Sequence, residues 1–599
     1  MKKYIFTTFL YLFVFAFSSH AQVEKLLVYS DRNSISEMEF KKQFELSPMV
    51  YNTTDVDEKK RIFLISMASA KLWAAEAEEM SPYSNPLIKY SLSEIEKKLM
   101  RDVLYKKEIE SKVQFTSGEL AEAKNRYKIK LDVLFITSQS KTGTEIAYKK
   151  LQEGISLDSL GLFVKDIQIN RMNVGYGDMF ETYENILYAL RPGEYSQPLL
   201  TEAGHTIFYL LQKNVDIEKA SLPEDRLTSS AKSLLEKHKI KEIYQDFNKI
   251  FLGNVKVTAD VNLFNSLTEK LAAITTPKII DDTSGVSLSF YDIFGLTNRF
   301  TENELNSPFI KFEQNPVTLM DFLGSLGFEG LKLPGDDLRT IKNIINGWIK
   351  NYIRLELLAR EAQKRGFETH PEVVSELQMW KDNYFATYAI QQITKEVDVT
   401  EAEISEYLTD TEREGFSGLY KIFGLSTTSI EKVNILLESL DKDENFINSV
   451  KKLKSGSDIY IDHDYVPLHE TDELSVYVQG MKEGEVFGPL ETDGRYSVFQ
   501  LVDIKKMETS INSEAFRKGA ESRIYNRKLE KIIEEKTIEL AKKYNLEVNT
   551  ELLKNIKVND INIVVMRSFG FGEKMLAAPM IQRNFEWFKR YLEEKSESL

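Results

Sequence analysis

Short pieces of the first half of this 599-residue chain return in the second half, in the same order and at nearly constant separation. Ile35-Ser36-Glu37-Met38-Glu39-Phe40 is matched by Val317-Thr318-Leu319-Met320-Asp321-Phe322, an offset of 282. Glu76-Ala77 is matched by Glu361-Ala362 at 285, and VQFTSGEL, with Thr116 and Glu119, by VDVTEAEI, with Thr400 and Glu403, at 284. Pro192-Gly193-Glu194 followed by QPLLTEAG is matched by Glu483-Gly484-Glu485 followed by GPLETDG at 291. A chain of two copies folds as two versions of one unit, and its length rules out a single core. The copies run from 24 to 266 and from 305 to 556, leaving 557–599 as a tail unique to the second.

Each copy has two textures. Apolar residues recur at three and four from Asp57 to Met80, from Ser93 to Val113, from Arg339 to Arg365 and from Pro371 to Glu396, which predicts long amphipathic helices. Ser93 with Glu96 is expected to cap the second of these, and Thr116 with Glu119 and Thr400 with Glu403 to open the helices that follow. Residues 128–215 instead predict a strand (KIKLDVLFITS), helical stretches at Glu145–Gln152 and Ser156–Val164, and a glycine-containing loop at Gly175–Asp178. A helix at Thr182–Leu190, a turn at Arg191–Glu194 and two strands, PLLTEA and HTIFYLLQ, follow. This is an α+β pattern with a small antiparallel sheet.

The first 21 residues carry Lys2 and Lys3, an apolar run from Tyr4 to Phe17, and Ser19-His20-Ala21 before Gln22, the pattern of a secretory leader. Without cysteine the exported chain has no disulfide, no thiol chemistry and no thiol-linked lipid anchor. The formal charge of −14, which becomes −16 once the two leader lysines are gone, makes nucleic acid a poor partner, since phosphate neutralisation needs a basic face.

The stretch GYGDMFETYENILYALRPGEYSQPLLTEAGHTIFYLL makes residues 128–215 resemble a parvulin-type peptidyl-prolyl isomerase domain. Its aromatic after Gly, Met, aromatic helix, Pro-Gly-Glu turn and final Gly before the last strand keep that family's order. Residues 415–505 resemble a more diverged copy, mainly through MKEGEVFGPLETDGRYSVFQLVDI. Helical segments around parvulin domains, behind a leader, resemble the SurA and PpiD class of periplasmic folding factors. The resemblance implies an α+β protein of extended helical chaperone modules carrying two small parvulin-like domains with antiparallel sheets. The expected order is a leader (1–21), a helical segment (22–127), the first parvulin-like domain (128–215), and a helical segment with linker (216–304). A second helical segment (305–414), the degenerate domain (415–505), a C-terminal helical segment (506–556) and the aromatic tail (557–599) follow.

Rotation about an X-Pro bond faces a barrier of about 18 to 20 kcal/mol and needs no covalent intermediate. A pocket must hold the proline ring on apolar side chains while polar neighbours favour the twisted amide. By resemblance, Met179 and Tyr183 take the positions of the ring-binding Met and Phe, while the family's polar set falls on Asp132, Asn173 and Thr206. His205 is adjacent to the last of these, but one residue's shift on a strand reverses the face. In the second copy the corresponding positions are Ile422, Glu470, Leu474 and Ser497, which implies a domain without isomerase activity.

The residues themselves leave alternatives open. Met179 and Tyr183, four apart, suit plain packing as well as a peptide-facing pocket, and Asp132 suits an edge-strand surface as well as a pocket mouth. Asp462-His463-Asp464 with His469 and Glu470 has metal-ligand residue types, but the spacing favours a solvated loop, and no cofactor is implied. Phe569-Gly570-Phe571-Gly572-Glu573-Lys574 lacks the spacing of a phosphate loop. The aromatic tail suits core completion better than a docking surface, because Phe585, Phe588 and Leu592 recur at helical spacing. The expectation is a periplasmic chaperone for unfolded exported or outer-membrane polypeptides with weak or lost isomerase activity. The alternatives are an active isomerase in 128–215 and a subunit of an outer-membrane assembly or secretion complex.

Overall fold

The computed structural model describes residues 26–597 except 52, 254–255, 279–284, 415–416, 443, 456–457, 469–473, 493 and 508–513. The leader, His469 and Glu470 therefore lie outside the described residues. The chain is α+β: long helices accompany several small antiparallel sheets. It divides into two compact units, residues 101–256 and the remainder of the chain on either side.

In the 101–256 unit, Thr116 and Glu119 form a reciprocal cap that opens helix Ser117–Tyr127. Four antiparallel strands follow, Ile129–Ser138, Gln168–Val174, Leu199–Thr201 and Gly204–Val215, in the spatial order second, first, fourth, third. Alternation divides the sheet into two apolar faces. Leu131, Val133 and Val174 pack with Phe208 and Leu210 against Leu187 of helix Glu181–Ala189. On the other face Ile136 and Ile207 pack against Ala147 and Leu151 of helix Lys141–Gln152 and against Leu160 and Val164. Ala123, Tyr176, Ala231 and Leu235 form a third core, joining Ser117–Tyr127 to the long helix Glu224–Leu252.

The strand Gln168–Val174 is absent from the sequence reading. It is exposed at every residue but the last, so it carries no apolar alternation by which an edge strand could be recognised.

In the larger unit each copy begins with a hairpin, Leu26–Tyr29 with Ser34–Ser36 and Pro308–Lys311 with Val317–Thr318. Each hairpin gains a third strand from the far end of the other copy. Glu547–Val548, after the second copy's long helix Glu514–Lys543, pairs with Leu26–Tyr29, and Thr258–Ala259, after Glu224–Leu252, pairs with Pro308–Lys311. Helix Val56–Ala77 of the first copy packs along Pro371–Thr394 of the second and contacts Glu514–Lys543, where the buried indole of Trp73 donates to Thr537 Oγ1 at 3.0 Å. A separate core gathers Phe309, Phe322, Ile341 and Leu267.

Ser93 and Glu96 lie inside helix Pro86–Glu108 and cap nothing. That helix begins at a proline after Asn85, whose side chain accepts from the Leu87 N–H at 2.9 Å, a stronger start signal than the internal Ser.

Strands Ser417–Thr427, Ile459–Pro467, Val486–Thr492 and Arg495–Met507 form a sheet with the same second, first, fourth, third order, entirely antiparallel. In the tail, Phe569, Phe571, Trp587, Phe588 and Tyr591 are buried. The buried stripe of helix Trp587–Glu597 is Trp587, Phe588 and Tyr591, rather than one running through Leu592, which is 49% exposed.

Candidate functional site

Phe180 has extended backbone and stands just before helix Glu181–Ala189, so Met179 sits in the entering loop and Tyr183 one turn inside. Both pack on the sheet face formed by Phe208 and Leu210. The Tyr183 ring meets Phe208 edge-on at 5.9 Å and Phe180 at 5.9 Å, while its hydroxyl donates to the Leu200 carbonyl at 2.9 Å. Beside them Phe180 is 37% exposed, and Leu199, opposite Thr206, is half-buried on the same face. The Lys241 ammonium lies 3.3 Å from the centre of the Phe180 ring. The result is an apolar surface with a cation at one margin.

Glu184, fully buried, holds the loop: its Oε1 accepts from the Gly177 N–H at 2.7 Å and the Met179 N–H at 3.0 Å. Gly177 has a φ of +97°, and a Cβ there would stand 2.8 Å from Leu234 Cδ2 on the long helix, so both conformation and space call for glycine. Burial pushes the Glu184 carboxyl above the usual carboxylate range.

The three polar positions do not converge. Asp132 stands opposite Asn173 across the first two strands, and alternation puts both on the Ile136 face. The Asp132 carboxylate accepts a two-pronged bond from Arg171, Nε to Oδ1 at 2.9 Å and Nη2 to Oδ2 at 2.6 Å, and this bond holds its pKa below the usual range. Asn173 is exposed. Thr206 stands opposite Thr137, on the face of Phe208, Met179 and Tyr183. Its buried hydroxyl is 3.0 Å from that of Thr137 and 3.0 Å from that of Thr201. His205 is opposite Ser138 and Leu200, on the reverse face from Thr206.

In the second sheet Ile422 is wholly buried among Phe499, Leu501 and Leu468, Ser497 stands opposite Ser426, and Leu474 packs at the margin of that core. Among the described residues no cluster of three or more His, Asp or Glu is placed to hold a metal ion.

The sequence reading missed Arg171, Glu184 and Phe180. Glu184 had a signal, a carboxylate in a helix whose neighbours Tyr183, Ile186 and Leu187 are apolar or aromatic. Arg171 had none, because its bond to Asp132 joins residues 39 apart.

No protein-family model matches the chain, and no curated protein does. Among solved structures it is similar to a peptidylprolyl isomerase (PrsA) from Bacillus anthracis, with 20% identity and a TM-score of 0.18 over 26% of this chain and 72% of that one. It is also similar to a peptidylprolyl isomerase (PrsA) from Bacillus cereus, with 20% identity and a TM-score of 0.19 over 40% of this chain and 95% of that one. At these TM-scores the sheet topology and the geometry of the surface stand on their own.

Proposed function

We propose that this chain is a parvulin-type periplasmic folding factor. It binds unfolded exported or outer-membrane polypeptides at apolar surfaces, of which Met179, Phe180 and Tyr183 form one, and has weak or no isomerase activity. The observation that carries this reading is the division of the polar set between the two faces of the first sheet. A twisted X-Pro amide needs its polar partners on the side that grips the ring. Asp132 is on the other side and already bound by Arg171, while the Thr206 hydroxyl is engaged with Thr137 and Thr201. An exposed aromatic and aliphatic surface still suits sequence-tolerant contacts to unfolded chains. Export rests on the N-terminal leader pattern.

The test is suppression of aggregation of a urea-unfolded outer-membrane protein, measured beside turnover of a prolyl peptide. Suppression without turnover supports this reading. The second reading, an isomerase in 128–215, draws on the Thr206 hydroxyl sharing a face with Met179 and Tyr183, and turnover lost in both Met179→Ala and Thr206→Val would establish it.

A further inference from the structure

Behind the Met179 surface lies a buried pair that the binding of an apolar chain does not itself require. Glu184 is fully buried and His238, on the long helix Glu224–Leu252, is 8% exposed. The two approach at 3.7 Å, Nε2 to Oε2. Glu184 Oε1 is occupied by the Gly177 and Met179 N–H groups, but Oε2 has no hydrogen-bond partner, nor has His238 Nδ1. The imidazole is walled by the Tyr176 ring, edge-on at 5.1 Å.

We infer that Glu184 is the positioning residue of the Met179–Tyr183 surface and that a single titratable proton on the Glu184–His238 pair holds it in place, making polypeptide binding there pH-dependent. The inference rests on the reading of that surface as a binding site.

Three protonation states differ in what they bury. With one proton on the pair, either a neutral couple or an ion pair stands behind the loop, and Oε1 keeps its two N–H donors. With none, the buried carboxylate faces a neutral ring, and a charge without a counter-ion is costly at such a site. With two, an imidazolium is buried beside a neutral carboxyl, which is also the poorer acceptor for the loop amides. Binding should therefore be strongest in the one-proton window and fall on both sides. Burial already pushes the Glu184 carboxyl upward, and the nearby Asp178 adds to the push.

The other ionisable groups around the pair are spread over every element packed there. The loop contributes Tyr176 and Asp178, the helix of Glu184 contributes Glu181 and Tyr188, and Ser117–Tyr127 contributes Glu122 and Arg126. The long helix contributes Lys239, which pairs with Glu119 at 3.0 Å, and Lys241 over Phe180. Lys219 pairs with Asp216 at 3.9 Å beside the same loop. None of these carries the two buried, unpartnered atoms that single out Glu184 and His238.

The experiment uses the full chain with the Met methyl groups labelled, and follows binding of the peptide Ala-Leu-Pro-Phe from pH 5 to 9 by the Met179 methyl resonance. Expected is an affinity maximum inside this range, falling about tenfold towards either end, the change that one unit of pKa displacement produces. His238→Gln and Glu184→Gln should each abolish the maximum and leave a profile with a single limb, since each removes one of the two titrating groups, while the Gln carbonyl at 184 can still face the loop amides. Glu184→Ala should displace the Met179 methyl signal at every pH. A profile unchanged in both Gln variants, or a Met179 signal unmoved in Glu184→Ala, overturns the inference. Failure of the wild type to bind at any pH would instead sink the binding reading. The free protein's methyl signal then still decides the latch: invariance from pH 5 to 9 overturns it, and a pH-dependent shift lost in the Glu184→Gln/His238→Gln double variant supports it.

Discussion

Arg171 grips Asp132 through two parallel hydrogen bonds, at 2.9 and 2.6 Å, across neighbouring strands and on the sheet face opposite to Met179. The carboxylate is therefore a structural partner. Because the bond lowers its folded pKa, its contribution is complete above the unfolded value near 4 and is lost as pH falls through the folded one. Asp132→Asn should accordingly be less stable than wild type at pH 7, with the gap closing below about pH 4. Chemical denaturation at several pH values measures it, and peptide affinity should change less than about twofold.

Shortening Met179 or Tyr183 removes contact area from the exposed surface over Phe208. Met179→Ala and Tyr183→Ala should each weaken binding of an apolar prolyl peptide about five- to tenfold, a loss of about 1 to 1.4 kcal/mol. Tyr183→Phe, which gives up only the bond to the Leu200 carbonyl, should cost about 1 kcal/mol of stability. Calorimetric titration and thermal unfolding separate the two effects.

Gly177→Ala meets both a positive φ and Leu234. It should destabilise the 101–256 unit by about 2 kcal/mol. Adding Leu234→Ala would relieve the clash and leave the backbone strain, so the double variant should not regain wild-type stability at its glycine position. Equal melting of Gly177→Ala and wild type would contradict this geometry.

Lys98, almost fully buried, neutralises Glu329 at 2.5 Å and approaches Glu573 at 3.8 Å. Burial pushes the Glu329 carboxyl upward even with the lysine present. Lys98→Met should cost about 1 kcal/mol at pH 7 by removing the counter-ion of the part-exposed Glu329 carboxylate. A carboxyl whose folded pKa exceeds its unfolded one favours the folded state when protonated, so the penalty should shrink as pH falls from 7 towards 5. Denaturant midpoints across that range test the sign.

Ending the chain after Lys543 removes Glu547–Val548 from the Leu26–Tyr29 strand, and takes from the buried Lys60 ammonium the carbonyls of Leu553 and Ile556, each 3.2 Å away. Amides in 26–36 should then lose protection from hydrogen exchange. Those of 129–215 should keep theirs, because the sheet there has its own cores on both faces. Unaltered protection at Leu27–Tyr29 would refute the dependence.

Elements coded by neighbours in sequence were legible. The Thr116–Glu119 and Thr400–Glu403 pairs close as reciprocal caps, with Glu403 Oε2 accepting from Thr400 N at 2.8 Å, because all the groups involved lie within four residues. Ser93–Glu96 has the same spelling and caps nothing, since Asn85-Pro86 starts that helix earlier. The edge strand Gln168–Val174 escaped notice because exposure on both faces erases alternation. Glu184 escaped as a functional candidate because its partners, the Gly177 and Met179 amides and His238, are main chain or distant.

The amino-acid order by itself determined the long helical stretches and the two Thr-x-x-Glu caps, because periodicity and capping act over a few residues. Only the tertiary structure decided that each copy's last strand completes the other's hairpin, that Asp132 and Thr206 face opposite ways, and that a histidine from the long helix backs the Met179 loop. Burial is non-directional, so an apolar strand pairs wherever an edge and a core accept it. Which edge that is depends on register across hundreds of residues, and a single residue's shift in register reverses every side chain.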